Sequence, residues 1–339
     1  MVSIGTSNTD RTRGQYRAIV IGCGQIGSRF SEAARLPGIY SHAEAYSLNP
    51  RTKLVGVADT DPGQLLAAAE HWETEASSNA IDLCRRLEPD IVSVCTPDDT
   101  HYAIGREVLL TKPPRLLFME KPLASTTSQA TELIELAREQ GTALLVNYSR
   151  RFSIAFQTIA DELKSGEHGR VLLVRVLYGK GLLHNGGHAI DLLRMWLGEP
   201  AHAWGWPAAW GPGEDATFDV ELSFAGETRA RLEAFDERAA TVFELDCLAE
   251  RSRWRFWMGG ARWEFAELLE GAAYSGYRNY LETARHLTDV RFERPLADCL
   301  ANAITNVANF LDGRGPLLCT GEDGLAVLTW VESIRAASH

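Results

Sequence analysis

Two stretches of the chain hold residues that could move a proton. The first is Phe118-Met119-Glu120-Lys121-Pro122-Leu123, where a carboxylate and an ammonium follow directly on an apolar run. The second is Gly179 to Gly198, which carries His184, His188 and Asp191. The two histidines are four residues apart and the aspartate is three further on, a spacing that shares one face of a helix. A partly buried lysine near a cation loses its proton more easily than a free one, and a histidine can share that work near neutral pH. These residue types suit proton transfer at a hydroxyl or carbonyl oxygen. No third cysteine, histidine or glutamate stands at helical spacing on that face, so no metal is expected.

Such groups need rigid elements behind them. Leu116 to Met119 reads as a short buried strand. Pro122 holds Lys121 in an extended conformation and permits a cis Lys121-Pro122 bond. The lysine is therefore expected at the carboxyl edge of a sheet, where open α/β folds bind ligands. The same edge is prepared earlier in the chain. Tyr16 to Ile21 reads as a strand that feeds Gly22-Cys23-Gly24-Gln25-Ile26-Gly27, followed by a helix over Ser28 to Ala34. Strand, Gly-x-Gly-x-x-Gly and helix form the dinucleotide fingerprint, with Gly22 for the turn, Gly24 for the pyrophosphate and Gly27 for close packing. Asp59 ends the next strand, Leu54 to Asp59, and is suited to accept hydrogen bonds from the adenine ribose and to repel a 2′-phosphate. That favours NAD(H) and leaves NADP(H) open. An insertion, Pro37 to Pro50, separates the two halves of the fingerprint and includes a short helix, His42 to Leu48.

Helices are expected over Gly63 to Trp72, Ala80 to Leu87, His101 to Leu110 and Ser125 to Gln140, alternating with strands Asp90 to Cys95 and Thr142 to Asn147. Thr96 and Pro97 follow the first of those strands and should lie beside the cofactor. The alternation predicts a parallel, doubly wound sheet over 15–149, after a flexible lead-in over 1–14. From Arg170 the pattern becomes an open, mostly antiparallel sheet: Val171 to Tyr178, Ala201 to Trp210, Ala216 to Phe224, Thr228 to Phe235, Thr241 to Cys247 and Arg253 to Trp257. Helices over Tyr277 to Leu287, Pro295 to Leu311 and Glu322 to Ala337 close this second domain, 150–339. Its many tryptophans suggest a buried face or a subunit interface, hence a homodimer or homotetramer.

Composition excludes several classes. The chain has 339 residues, 45% hydrophobic and 23% charged, with net charge −11 and no basic stripe, so neither nucleic acid nor an anionic membrane is an expected partner. No apolar run reaches the roughly 18–20 residues of a membrane span. The N-terminus lacks the apolar core of a signal peptide. Six unpaired cysteines, none in Cys-x-x-Cys, point to a reducing, cytoplasmic setting.

Taken together the motifs resemble the Gfo/Idh/MocA family, which includes glucose–fructose oxidoreductase and inositol dehydrogenase. The matching pieces are Gly22 to Gly27, Asp59, Thr96-Pro97 with His101, Glu120-Lys121-Pro122, Asn147 with Arg150-Arg151-Phe152, and His188-Ala189-Ile190-Asp191. The resemblance implies a Rossmann domain followed by an α/β domain with an open sheet. It implies an oxidoreductase that interconverts a hydroxyl and a ketone on a sugar, cyclitol or nucleotide-linked sugar. Lys121 and His188 fall at the family's catalytic lysine and histidine. Thr96, Pro97, His101 and Glu120 fall at the cofactor. Asn147, Arg151, His184 and Asn185 fall at the substrate. One departure matters: alcohol-oxidising relatives often carry an aspartate four residues before the histidine, and here that residue is His184. Two other readings share the fold: a non-enzymatic NAD-binding regulator, and a redox-assisted glycoside-cleaving enzyme with tightly held NAD.

Overall fold

The computed structural model describes residues 14–30, 34, 37–209, 215–260, 262–270, 275–282, 292–293 and 295–337. The lead-in over 1–13, part of the helix expected to Ala34, and Trp210 lie outside them.

The first sheet contains β1 (Tyr16–Ile21), β2 (Thr52–Ala58), β3 (Glu75–Ser77), β4 (Ile91–Val94), β5 (Leu116–Met119) and β6 (Ala143–Val146). Their order is β3-β2-β1-β4-β5-β6, and every pairing is parallel. This is the doubly wound order, and its crevice opens where the winding reverses between β1 and β4. Helices cover both faces, so β4 and β5 are buried along their whole length. The covering helices are α1 (His42–Leu48), α2 (Pro62–Trp72), α3 (Ala80–Leu87), α4 (His101–Thr111) and α5 (Thr127–Glu139). Their starts are written in the sequence. Asp61 accepts from the amides of Gly63 and Gln64, with Pro62 at the first helical position. Asn79 caps α3 and Thr126 caps α5 in the same way.

Helix α6 (Ile154–Ser165) leads to the second sheet, made of β7 (Val171–Tyr178), β8 (His202–Pro207), β9 (Phe218–Ser223), β10 (Arg229–Ala234), β11 (Phe243–Ala249), β12 (Ser252–Trp257), β13 (Arg262–Glu270) and β14 (Arg278–Glu282), in the order β14-β13-β12-β11-β7-β10-β9-β8. Only β7 and β10 run parallel; the other pairings are antiparallel. Helix α7 (Gly187–Leu197) crosses between β7 and β8 (His202–Pro207). Three strands were not expected: the short β3 of the first sheet, and β13 and β14 here. The helix predicted over Tyr277 to Leu287 is a strand in its described part, because Arg278 to Glu282 pair with the open edge of β13. Tyr280 fixes that register by donating to the Ala249 carbonyl oxygen at 2.6 Å. The tryptophans divide. Trp254 is fully buried, while Trp204 and Trp206 on the edge strand β8 are 46% and 50% exposed. The open face of the sheet is laced by cross-strand ion pairs, Arg175–Glu233, Arg253–Asp246 and Arg255–Glu264, around a hollow of about 410 Å³.

The last helices, α8 (Cys299–Leu311) and α9 (Gly321–Ala336), return to the first sheet. Val146 donates to the Cys319 carbonyl oxygen, and Leu145 bridges Thr320. At the other end Tyr16 and Arg51 bond Asp312. A buried ion cluster seals the joint. Arg151 lies 2.9 Å from both Asp191 on α7 and Asp323 on α9, and Arg194 approaches the same two carboxylates. Asp191 is 1% exposed, and removing one partner of such a pair costs about 3–5 kcal/mol.

Candidate active site

The carboxyl ends of β1, β2, β4, β5 and β6 deliver Gly22, Asp59, Thr96, Glu120 and Asn147 to one edge. Gly22 turns the chain with φ +94°, and a Cβ there would meet the Cys95 carbonyl oxygen at 2.6 Å. A Cβ at Gly27 would stand 1.9 Å from the Gly22 carbonyl oxygen, so the turn and the helical segment Gln25–Arg29 pack backbone to backbone. Gly24 has open space before it, with the Gln64 side-chain oxygen 3.7 Å from its would-be Cβ. Gln25 is exposed and Ile26 half-buried beside it. The Asp59 carboxylate accepts from the amides of Cys23 at 2.6 Å and Asp61 at 2.8 Å, which aims it along the crevice. Gly22, Gly24, Asp59, Gln64, Thr96 and Pro97 bound a space of about 760 Å³. A glycine turn, an open backbone approach and a fixed carboxylate are what a dinucleotide requires, so these residues fit one.

Glu120 and Lys121 lie next to that crevice, and the Lys121-Pro122 bond is cis. Glu120 is 7% exposed, yet its oxygen accepts from His42 Nε2 at 2.8 Å and Asn147 Nδ2 at 2.6 Å. His42 Nδ1 lies 3.0 Å from Ser93 Oγ, which lies 2.8 Å from the Tyr46 hydroxyl. One hydrogen assignment satisfies the row: Tyr46 donates to Ser93, Ser93 to Nδ1, and the Nε2–H of a neutral His42 to Glu120. Burial would raise the Glu120 pKa, but His42, Asn147 and the Lys121 charge more than offset it, and the carboxyl is held below its ordinary value.

Lys121 Nζ is 2.6 Å from His184 Nδ1. Burial pulls the lysine pKa down against the pull of Glu120, Asp98 and Asp215, and the net shift is downward. Burial and the Lys121 charge lower His184 as well, so a neutral His184 accepts from Lys121. His184 sits in a wide helical turn, Gly181–Gly186, that Asp215 holds by accepting from the amides of Leu183 and His184. His188 begins α7 one turn on, its ring edge-on to Tyr148 with centroids 5.7 Å apart. Burial, then Arg150 and Lys121, push His188 far below its usual range. Its Nδ1 is sealed from solvent with no partner.

The other expected residues are placed as follows. Asn147 lies behind Glu120 and spends its amide on it. Asn185 is half-buried in the His184 turn. Arg151 and Asp191 do not join the histidines; both belong to the ion cluster. His101 is fully buried, its ring nitrogens 2.7 Å and 2.8 Å from the carbonyl oxygens of Pro122 and Thr96, so it ties two loops together behind the cleft instead of lining it. His42, Ser93 and Asp215 were not anticipated. His42 had a faint signal, a histidine opening the short helix of the insertion.

Removing His42 leaves burial of Glu120 less opposed, so its carboxyl should protonate at higher pH. In His42→Ala, carbon-13 NMR of labelled glutamate carboxyls should move the Glu120 titration upward. An unmoved titration would show that the row is only packing.

Residues 16–148 match the family model described as oxidoreductase family, NAD-binding Rossmann fold. The D-glucoside 3-dehydrogenase of Escherichia coli is 26% identical over 210 residues, 58% of this chain and 56% of the relative. The inositol 2-dehydrogenase of Rubrobacter xylanophilus is 32% identical over 136 residues, 40% of this chain and 39% of the relative. The chain thus spans between two fifths and somewhat over half the length of these curated relatives. Two solved structures share the fold over nearly the full length. The WlbA dehydrogenase of Bordetella pertussis, in complex with NADH and UDP-GlcNAcA, has TM-score 0.72 and 19% identity, covering 96% of this chain and 97% of that one. An oxidoreductase of Agrobacterium radiobacter in complex with NAD+, L-tartaric acid and magnesium has TM-score 0.72 and 15% identity, covering 96% of each chain. The match to the GFO_IDH_MocA oxidoreductase model thus covers residues 16–148, the part of the chain that forms the NAD-binding Rossmann fold.

Proposed function

We propose that the protein is an NAD(H)-dependent oxidoreductase that interconverts a hydroxyl and a ketone on a sugar, cyclitol or nucleotide-linked sugar. The observation that carries this reading is the Lys121–His184 contact of 2.6 Å beside the dinucleotide crevice. The relatives' names, a glucoside and an inositol dehydrogenase, support the substrate class. Bound in the crevice, the nicotinamide supplies hydride exchange. The chain's own part is the proton. With its pKa lowered, Lys121 takes the hydroxyl proton as free amine and returns it as ammonium. His184 receives a hydrogen bond from Nζ and orients the substrate oxygen. His188 stays neutral and assists from α7. Glu120 stays beside the lysine as a fixed carboxylate and would orient the nicotinamide ribose of a bound cofactor.

The sign of the pH dependence follows. Alcohol oxidation needs Lys121 deprotonated, so its turnover should rise with pH to a plateau reached below the ordinary lysine value. Ketone reduction should fall over the same range. Lys121→Ala and His188→Ala should each lower turnover by about 10²–10⁴ with cofactor affinity little changed. His184→Ala should raise KM at least as much as it lowers kcat. Single-turnover rates and cofactor titrations on the three variants check this. Full activity in Lys121→Ala would remove the catalytic role of Lys121, whereas NAD(H) binding with no turnover of any sugar or cyclitol would favour a nucleotide-sensing regulator.

The cofactor preference rests on Asp59, whose carboxylate would face a 2′-phosphate at close range. NAD(H) should bind more tightly than NADP(H) at equal salt, and Asp59→Ala should narrow the gap. Tighter NADP(H) binding by the unaltered protein overturns the preference.

Self-association through the second domain completes the proposal. Exposed Trp204 and Trp206 on an edge strand, beside an open sheet face, are its motive. Sedimentation at micromolar concentration should exceed the 37.4 kDa of one chain, and a lone 37.4 kDa species counts against it.

A further inference from the structure

Arg150 is a buried cation, 8% exposed, with no ion pair among the described residues. Its Nε is sealed from solvent and has no hydrogen-bond partner among the described residues. The guanidinium carbon instead lies 3.7 Å over the Phe243 ring. Its neighbour Arg151 has two carboxylates, and Arg194 bonds Glu199. A buried charge left unpaired is costly, and an aromatic face offsets only part of that cost. Burial accordingly pulls the Arg150 pKa down to about 10.

Its position relates that charge to the cleft. Arg150 lies three residues after Asn147, which holds Glu120. Phe243 pairs with Tyr178, and Gly179 donates to the Val242 carbonyl oxygen at the point where the chain enters the His184 turn. The guanidinium is thus clamped between the stretches that deliver Glu120-Lys121 and His184. Asp191 is the carboxylate whose charge acts on Arg150, and it is bonded to Arg151 instead. Glu120 is engaged by His42 and Asn147, and Asp215 by the turn and by Arg335. The Arg150 guanidinium itself is left without an ion pair among the described residues.

We propose that Arg150 is the receptor for an anionic substituent of the substrate, a carboxylate or phosphoryl group carried by the sugar or cyclitol. A guanidinium held flat on a ring presents parallel N–H donors that match either oxyanion. The proposal rests on the oxidoreductase reading for the ring that carries the anion, but its test does not require turnover.

The experiment is isothermal titration of the NAD+-loaded protein with three probes: glucuronate, glucose 6-phosphate and neutral methyl glucoside. At least one anionic probe should bind about tenfold or more tightly than methyl glucoside. A preference for glucuronate identifies a carboxylate substrate and one for glucose 6-phosphate a phosphoryl ester. Arg150→Met should abolish the preference and leave NAD+ affinity unchanged. Arg150→Lys, which keeps the charge and gives up the fork, should lower it several-fold and serves if the methionine variant does not fold. Equal binding of all three probes, no binding of either anion at millimolar concentration, or a preference that survives in the variants overturns the proposal. The two readings separate cleanly. An Arg150-dependent preference supports the anion site whether or not the probe is oxidised, and oxidation of a sugar or cyclitol with no Arg150-dependent preference for either anion overturns the anion site alone.

Discussion

Everything at the cleft depends on keeping one carboxylate ionised where water cannot reach it. Glu120 stands at the end of a strand buried on both faces, and burial by itself would neutralise it. Three groups prevent this, and each comes from a different part of the fold. Asn147 reaches over from the end of β6, His42 from α1, and Lys121 is the next residue in the chain. The parallel order of the sheet makes the meeting possible, since it brings those ends to one edge. The carboxylate in turn keeps a positive charge tolerable on Lys121, which burial would otherwise strip of its proton more readily still.

The second domain supplies what the first lacks. Lys121 has its histidine partner only because the turn after β7 is folded back by Asp215, a residue 31 positions beyond His184. That geometry holds only while the domains stay docked, and the Arg151–Asp191–Asp323 cluster joins the turn after β6 to α7 and α9. The same aspartate that seemed to extend the histidine face is thus occupied in fixing the helix that carries His188. His188 and Asp191 lie three residues apart on α7, so the ion cluster fixes the same turn of helix that presents His188.

Much of the first domain was legible because parallel strands are apolar runs and their helices announce themselves by caps. The strands β1, β2, β4, β5 and β6, the helices α1 to α5, and the carboxyl-edge position of Glu120-Lys121 could be read this way, while the short edge strand β3 could not. What resisted reading were relations between distant residues. His42 meets Glu120 across 78 positions, and no periodicity predicts that. Spacing of four placed His184 and His188 on one face, yet the segment Gly181–Gly186 winds wider than an α-helix, so one ring is exposed and the other half-buried. His101 follows the Thr-Pro loop as expected but turns inward, where two carbonyl oxygens hold it. Strand β14 has no strong alternation of its own; the open edge of β13 decides its state.

In the proposed reaction the lysine, not a histidine, carries the proton, and the reason lies in the sign of the surrounding charge. His184 and His188 are both pushed toward neutrality, by burial first and by nearby cations second. A neutral imidazole can accept a hydrogen bond from the Lys121 ammonium, but it cannot hold a proton there. Lys121 differs because Glu120, Asp98 and Asp215 oppose the desolvation that lowers it. It therefore remains able to exist in both forms. Arg150 is among the cations acting on both His188 and Lys121. An anion seated on Arg150 would cancel part of that push and make protonation of either group easier. Binding of a charged substrate and retention of its proton would then favour each other, because both respond to the same uncompensated guanidinium.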